Sequence, residues 1–218
     1  MLVGAVTYDC RRSFLHCFQQ LDLISLQGAT IGSFGIGLGF MCNGANFCYK
    51  KSFFEELQGF TGNAAIASGD DVFLLQKAMR RSPEKVHYLK SKSDIVKTKP
   101  LDSWKSLLHQ RVRWASKTGS YESVFGKDLA VIVFAGNLAI VIGAIATIFG
   151  EIPWYHMTAL FVLKFLLDYL LLYKTNKFLS KKRMRFLFLG SLLYPFFCVV
   201  VALFSLSGKY EWKGRTLR

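Results

Sequence analysis

Acidic residues are scarce. The chain has 14 Asp and Glu against 28 Lys and Arg, a net charge of +14. That balance fits nucleic acid, a membrane surface or phosphate-bearing substrates as the partner, and position along the chain has to choose among them. Cysteine pairing signals are also missing. Cys10, Cys17, Cys42, Cys48 and Cys198 form no CxxC, which argues against both a disulfide scaffold and a zinc site. His16, His87, His109 and His156 show no HxH or HExxH spacing, so metal binding through histidine is not expected. There is no internal repeat and no low-complexity tract. What is abundant is apolar: 52% of the residues are hydrophobic and the mean hydropathy is +0.29. A disordered chain is excluded by this composition, and a plain soluble domain fits it poorly.

The apolar residues are concentrated. Residues 1–127 hold 17 basic and 10 acidic side chains, and residues 128–218 hold 11 and 4, yet 129–149 and 186–206 contain no charge at all. Each stretch of about 21 residues, at about 1.5 Å per residue, covers a hydrocarbon core of ~30 Å. A third candidate, 152–173, carries Lys164 and Asp168, spaced to pair with one another within a helix. About three membrane helices are therefore expected. The first 20 residues carry Asp9, Arg11, Arg12 and His16 and no apolar core, so no secretory signal is read and the amino-terminal part is expected in the cytosol. Lys174–Arg185, with six basic residues and no acid, reads as a cytosolic loop. A third full crossing would leave the basic tail Lys209–Arg218 on the other side. Pro195, in the middle of 186–206, offers the alternative of a bent or re-entrant segment.

Residues 1–100 read as α/β. Leu2–Tyr8 and Val86–Leu89 are strand-like, and Arg11–Leu26, Lys50–Leu57 and Asp71–Arg81 have helical patterns. The glycine-dense Gly28–Gly44 is expected to be a mobile loop. In Leu101–Ser116 the residues Leu101, Trp104, Leu107, Leu108, Val112 and Ala115 share one face, with Lys105, Arg111 and Lys117 off it. Immediately before a span, that pattern predicts an amphipathic helix at the membrane surface.

Three segments carry candidate chemistry. Ser68-Gly69-Asp70-Asp71 opens a helix. The two carboxylates can simply cap it, or one can serve as a general base beside the other. Gln110, Arg113 and Trp114 fall at i, i+3 and i+4. This places an amide, a phosphate-pairing guanidinium and a stacking indole together, or else anchors the helix to lipid headgroups. Asn43-Gly44-Ala45-Asn46 reads as a turn whose amides can also hold a polyhydroxylated acceptor.

In this order the segments resemble the second half of a membrane-bound family 2 glycosyltransferase. The matching pieces are Asn43-Gly44-Ala45-Asn46 followed by Lys51, Phe54 and Gly59-Phe60, then Gly69-Asp70-Asp71-Val72-Phe73-Leu74, then QxxRW at Gln110–Trp114, then apolar helices and Trp212-Lys213-Gly214-Arg215. The resemblance implies a partial GT-A nucleotide-sugar transferase domain over 1–100, an interface helix over 101–127 and a membrane region over 128–218. It implies inverting transfer from a nucleotide-diphosphate sugar to a lipid, lipid-linked sugar or polysaccharide at the inner or plasma membrane. Asp71 would be the base and Asp70 its acidic neighbour. Gln110, Arg113 and Trp114 would line donor and acceptor, with Asn43, Gly44 and Asn46 beside the acceptor. Such enzymes use Mg²⁺ or Mn²⁺ held by a DxD motif. No Asp-x-Asp occurs in this chain, so it is expected to be a carboxyl-terminal piece that needs a separate amino-terminal half and is inactive alone. The alternative reading is an inactive remnant or accessory membrane subunit. Nucleic acid is not expected as a partner, because the basic residues cluster at span ends.

Overall fold

The computed structural model describes residues 1–62, 69–206, 210–212 and 215–217, the last two segments by backbone alone. Its elements are β1 (Leu2–Gly4), β2 (Val6–Tyr8), α1 (Phe14–Gly35), β3 (Phe47–Cys48), α2 (Lys51–Glu56), α3 (Asp70–Arg81), β4 (His87–Leu89), β5 (Val96–Thr98), α4 (Trp104–Ala115), α5 (Val124–Ile148), α6 (Trp154–Leu179), α7 (Leu187–Leu206), β6 (Tyr210–Trp212) and β7 (Arg215–Leu217). Serine starts several of the helices. Ser13, Ser103 and Ser123 accept from the backbone N–H three residues on, opening α1, α4 and α5.

The chain is mostly helical, and the expected α/β domain is present only as a small amount of sheet. β1 lies between β3, antiparallel, and β4, parallel, while β2 pairs in parallel with β5. Parallel pairs need the helical crossovers that the chain supplies. The described strands are two or three residues long. The outward Val6 and Tyr8 N–H groups of β2 donate to Gln27 Oε1 at 3.1 Å and Gln20 Oε1 at 3.0 Å, so α1 closes that edge to a further strand.

The expected loop over Gly28–Gly44 is corrected in its first part, while residues 36–43 carry no helix or strand. α1 continues through Gly28 and Gly32 to Gly35. Gly28 sits where a Cβ would lie 2.5 Å from Thr175 Oγ1 and 2.8 Å from Leu171 Cδ1. This glycine serves close helix packing against α6, and its cost in helix propensity is offset there. Leu21 and Ile24 of α1 extend the contact to Leu172 and Leu179.

Three helices, α5, α6 and α7, are long and apolar enough to cross a membrane. Lys164 and Asp168 form an i,i+4 ion pair within α6, as their spacing predicts. α7 is one continuous helix with Pro195 inside it, so the proline does not divide the segment. The five cysteines are free thiols.

Candidate functional site

The first turn of α3 is the centre of the site. Gly69, at φ +91°, precedes it, and Asp70 and Asp71 occupy its first turn while Arg80 and Arg81 occupy the last, an arrangement that matches the helix dipole at both ends. Asp71 Oδ1 accepts from the Val72 N–H at 2.9 Å. Ser68, which completes the motif in the sequence, lies outside the described residues.

The turn at Asn43–Asn46 meets this helix. A Cβ on Gly44 would lie 3.0 Å from Asp71 Oδ2, so glycine here lets backbone and carboxylate approach. Asn43 Oδ1 accepts from Ala45 N–H at 3.0 Å and holds the turn. Asn46 is used differently: its Nδ2 donates to the Ala5 and Asp94 carbonyls, both at 2.8 Å. That amide ties the break between β1 and β2 to the 94–96 segment, so its N–H groups are committed to the fold.

α4 reaches the same place through its far end. Gln76 of α3 is buried and donates to the Phe40 carbonyl at 3.0 Å, while its Oε1 accepts from Glu122 N–H at 2.7 Å. This side chain holds the segment after α4 against α3. Lys117, one turn beyond Arg113, is thereby inserted beside the aspartates, and a Cβ on Gly69 would lie 3.2 Å from its Cδ and 3.7 Å from its Nζ. Lys117 is 5% exposed. Among the described residues no carboxylate lies within 4 Å of its ammonium. Burial first, then the Arg113 charge, pull its pKa down, and Asp71 and Asp70 only partly counter them, leaving it at about 8. Tyr121, also packed here, is pushed up to about 12 by burial, then by Asp71 and Cys42. Sequence spacing set Lys117 apart as a solvent-facing lysine. Its burial follows from the chain turning at Lys117–Ser120, which no periodicity reports.

Gln110 and Trp114 do not face this cluster through free side chains. Arg111 donates to Gln110 Oε1, and its guanidinium lies 4.3 Å from the centre of the Trp114 ring. Arg111 itself, expected off the apolar face, is buried. Its Nε donates to Asp22 Oδ2 at 2.6 Å, with both side chains 6% exposed. Burial lowers the Arg111 pKa, but the charges of Asp22 and Tyr8 and hydrogen bonds to both outweigh it, so the net shift is upward. The signal that could have found this pair was Asp22, an acid inside an otherwise apolar helical pattern.

Asp71 and the Asn43–Gly44 turn are thus brought together, and Lys117 lies within electrostatic reach of Asp71, Asp70 and Arg113, while Gln110, Trp114 and Asn46 brace the frame. Two cavities lie elsewhere. One of about 550 Å³ opens at the far end of α3 around Lys77, Arg80 and Glu122, and one of about 370 Å³ lies between Trp104 and Leu108 of α4 and Phe196 and Val200 of α7. No family model, curated protein or solved structure matches the chain. Trp212 and Arg215 are described by backbone only, and Lys213 and Gly214 lie outside the described residues.

A divalent cation fits this cluster poorly. Mg²⁺ needs carboxylates and phosphate oxygens in near-octahedral order. Here the two carboxylates have the Lys117 ammonium as an electrostatic neighbour, and no group of three or more metal-ligating side chains occurs among the described residues.

Proposed function

We propose that the chain is the carboxyl-terminal portion of an inverting glycosyltransferase akin to the membrane-bound family 2 enzymes. In this reading it moves a sugar from a nucleotide-diphosphate donor to a lipid, lipid-linked sugar or polysaccharide at the cytosolic face of an inner or plasma membrane. One observation carries it: Asp71, in the first turn of a helix, sits against the Gly44 turn, and the buried Lys117 beside Gly69 feels the charges of Arg113, Asp71 and Asp70. Inverting transfer asks for that pairing. The acceptor oxygen bonds to the anomeric carbon as the bond to the diphosphate oxygen breaks. Asp71 takes the hydroxyl proton, and Arg113 and Lys117 meet the negative charge that leaves with the diphosphate. The Gly44 turn is placed to hold the acceptor beside Asp71.

The donor-binding half is expected from a separate amino-terminal partner. Membranes carrying the chain alone, and together with such a half, are to be assayed for label passing from nucleotide-sugars to extractable lipid and for pyrophosphate binding. Binding by the chain alone is expected, with transfer only in the combined form. Asp71→Asn is expected to lower kcat by about 10²–10⁴-fold with KM little changed. Unchanged turnover would remove Asp71 as base. Failure to bind diphosphate, or binding indifferent to Lys117→Ala and Arg113→Ala, would remove the reading altogether.

A further inference from the structure

α7 has the length and composition of a crossing helix, but besides α5 it packs on α1 and α4 of the amino-terminal part. Its first turns lie on α1: a Cβ on Gly190 would be 3.1 Å from Leu21 Cδ1, and the Tyr194 and Phe18 rings lie 6.3 Å apart, centre to centre. Further along, Phe197 packs edge-on against Phe18 with ring centres 5.2 Å apart. Val201 then packs against Val112 of α4. Contact with the amino-terminal domain therefore runs from residue 190 to residue 201, about 18 Å of helix at 1.5 Å per residue. The five residues after Val201 add about 8 Å, against a hydrocarbon core of ~30 Å.

The two ends agree. α6 arrives on the domain side, because Leu172, Thr175 and Leu179 at its end pack on α1. α5 departs from that side, because Gly126 at its start packs on Phe40. The chain leaving α7 returns there too, since the β6 backbone lies against α4. Beside this contact, Leu189, Leu192, Phe196, Val200 and Leu203, spaced three and four residues apart, form an exposed apolar stripe on α7, with Phe196 and Val200 bordering the groove between α7 and α4.

We infer that α7 does not cross the bilayer: together with α4 it forms a surface that sinks into a single leaflet, leaving the carboxyl-terminal tail on the same side as the amino-terminal domain. The occupant of the exposed stripe is lipid hydrocarbon, because α7 packs directly against the spanning helices α5 and α6 and its outer face continues theirs. A helix held flat in this way buries one face on protein and the other in acyl chains. The arrangement also removes the charge conflict. A full crossing would carry the basic tail of the sequence, four Lys and Arg against Glu211 alone in 207–218, away from the basic 174–185 segment. This inference stands independently of the proposed chemistry.

The full chain, extended at Arg218 by a long Gly/Ser linker and an epitope, tests it in sealed vesicles of both orientations. An impermeant maleimide reports the domain through the exposed Cys48, with the modified peptide identified by mass spectrometry, and antibody reports the tail. Both labels are expected in the same vesicles, at the ratio that detergent-opened vesicles give. Antibody reaching the tail only in vesicles where Cys48 is protected would overturn the inference. The Phe196→Lys variant gives a second reading. In a one-leaflet helix the lysine reaches the surface and both labels stay together, whereas a crossing α7 would separate them.

Discussion

Burial and the Arg113 guanidinium hold Lys117 at about 8, although Asp71 and Asp70 draw the other way. Two consequences follow from that sign. Because the folded value lies below the ordinary 10.5, the unfolded chain binds a proton more readily, so folding is opposed by this group at neutral pH. The opposition is relieved as pH rises from about 8 toward 10.5. Lys117→Met is therefore expected to raise Tm at pH 7 while losing anion affinity, a trade often made at binding sites. In the native chain the positive charge disappears as pH climbs through about 8, so pyrophosphate affinity should fall by about tenfold between pH 7 and pH 9.5. Lys117→Arg should bind with little pH dependence there, since guanidinium stays protonated. Calorimetric titration at the two pH values decides it, and a flat native profile would contradict the placement. Site legibility was uneven at this scale. Asp70, Asp71, Arg113 and the glycine of the 43–46 turn stand out by local spacing, and the fold sets Asp71 against that glycine and Lys117 within reach of the three charges. Arg111 was misread because its partner, Asp22, is 89 positions away and nothing in helical periodicity links them.

Between elements, the same Arg111–Asp22 pair is the polar bond joining α1 to α4. Its Nη2 is buried and has no hydrogen-bond partner among the described residues, so the pair is a constraint on geometry more than a source of stability. Removing one member leaves the other charged and enclosed. Asp22→Ala is expected to destabilise the domain by about 3–5 kcal/mol in a denaturant titration, and the double change Asp22→Leu with Arg111→Met to recover most of that loss. A double variant no better than the single would refute this account. Element identity was largely legible: α3, α4 and the apolar helices follow from period and length, and the end of α3 from Pro83. α1 was cut short because Gly28, Gly32 and Gly35 resemble loop punctuation. Only the facing Thr175 and Leu171 reveal that Gly28 is a packing contact.

For the molecule as a whole, the weight of apolar surface decides behaviour. Ile132, Leu163, Leu167 and Leu203 are among many large side chains left open on α5, α6 and α7, far beyond what a soluble monomer tolerates. The protein is expected to stay in the membrane pellet through an alkaline carbonate wash and to come out only with detergent. Release by carbonate would reduce it to a peripheral protein. Gln20 and Gln27 fix one more property of the assembly. By occupying the outward N–H groups of β2 they stop any foreign strand from annealing along that margin. A companion polypeptide bringing its own strands has to enlarge the platform from the opposite flank, beside β3, β4 or β5, and so approaches the aspartate pair from a direction α1 has already chosen.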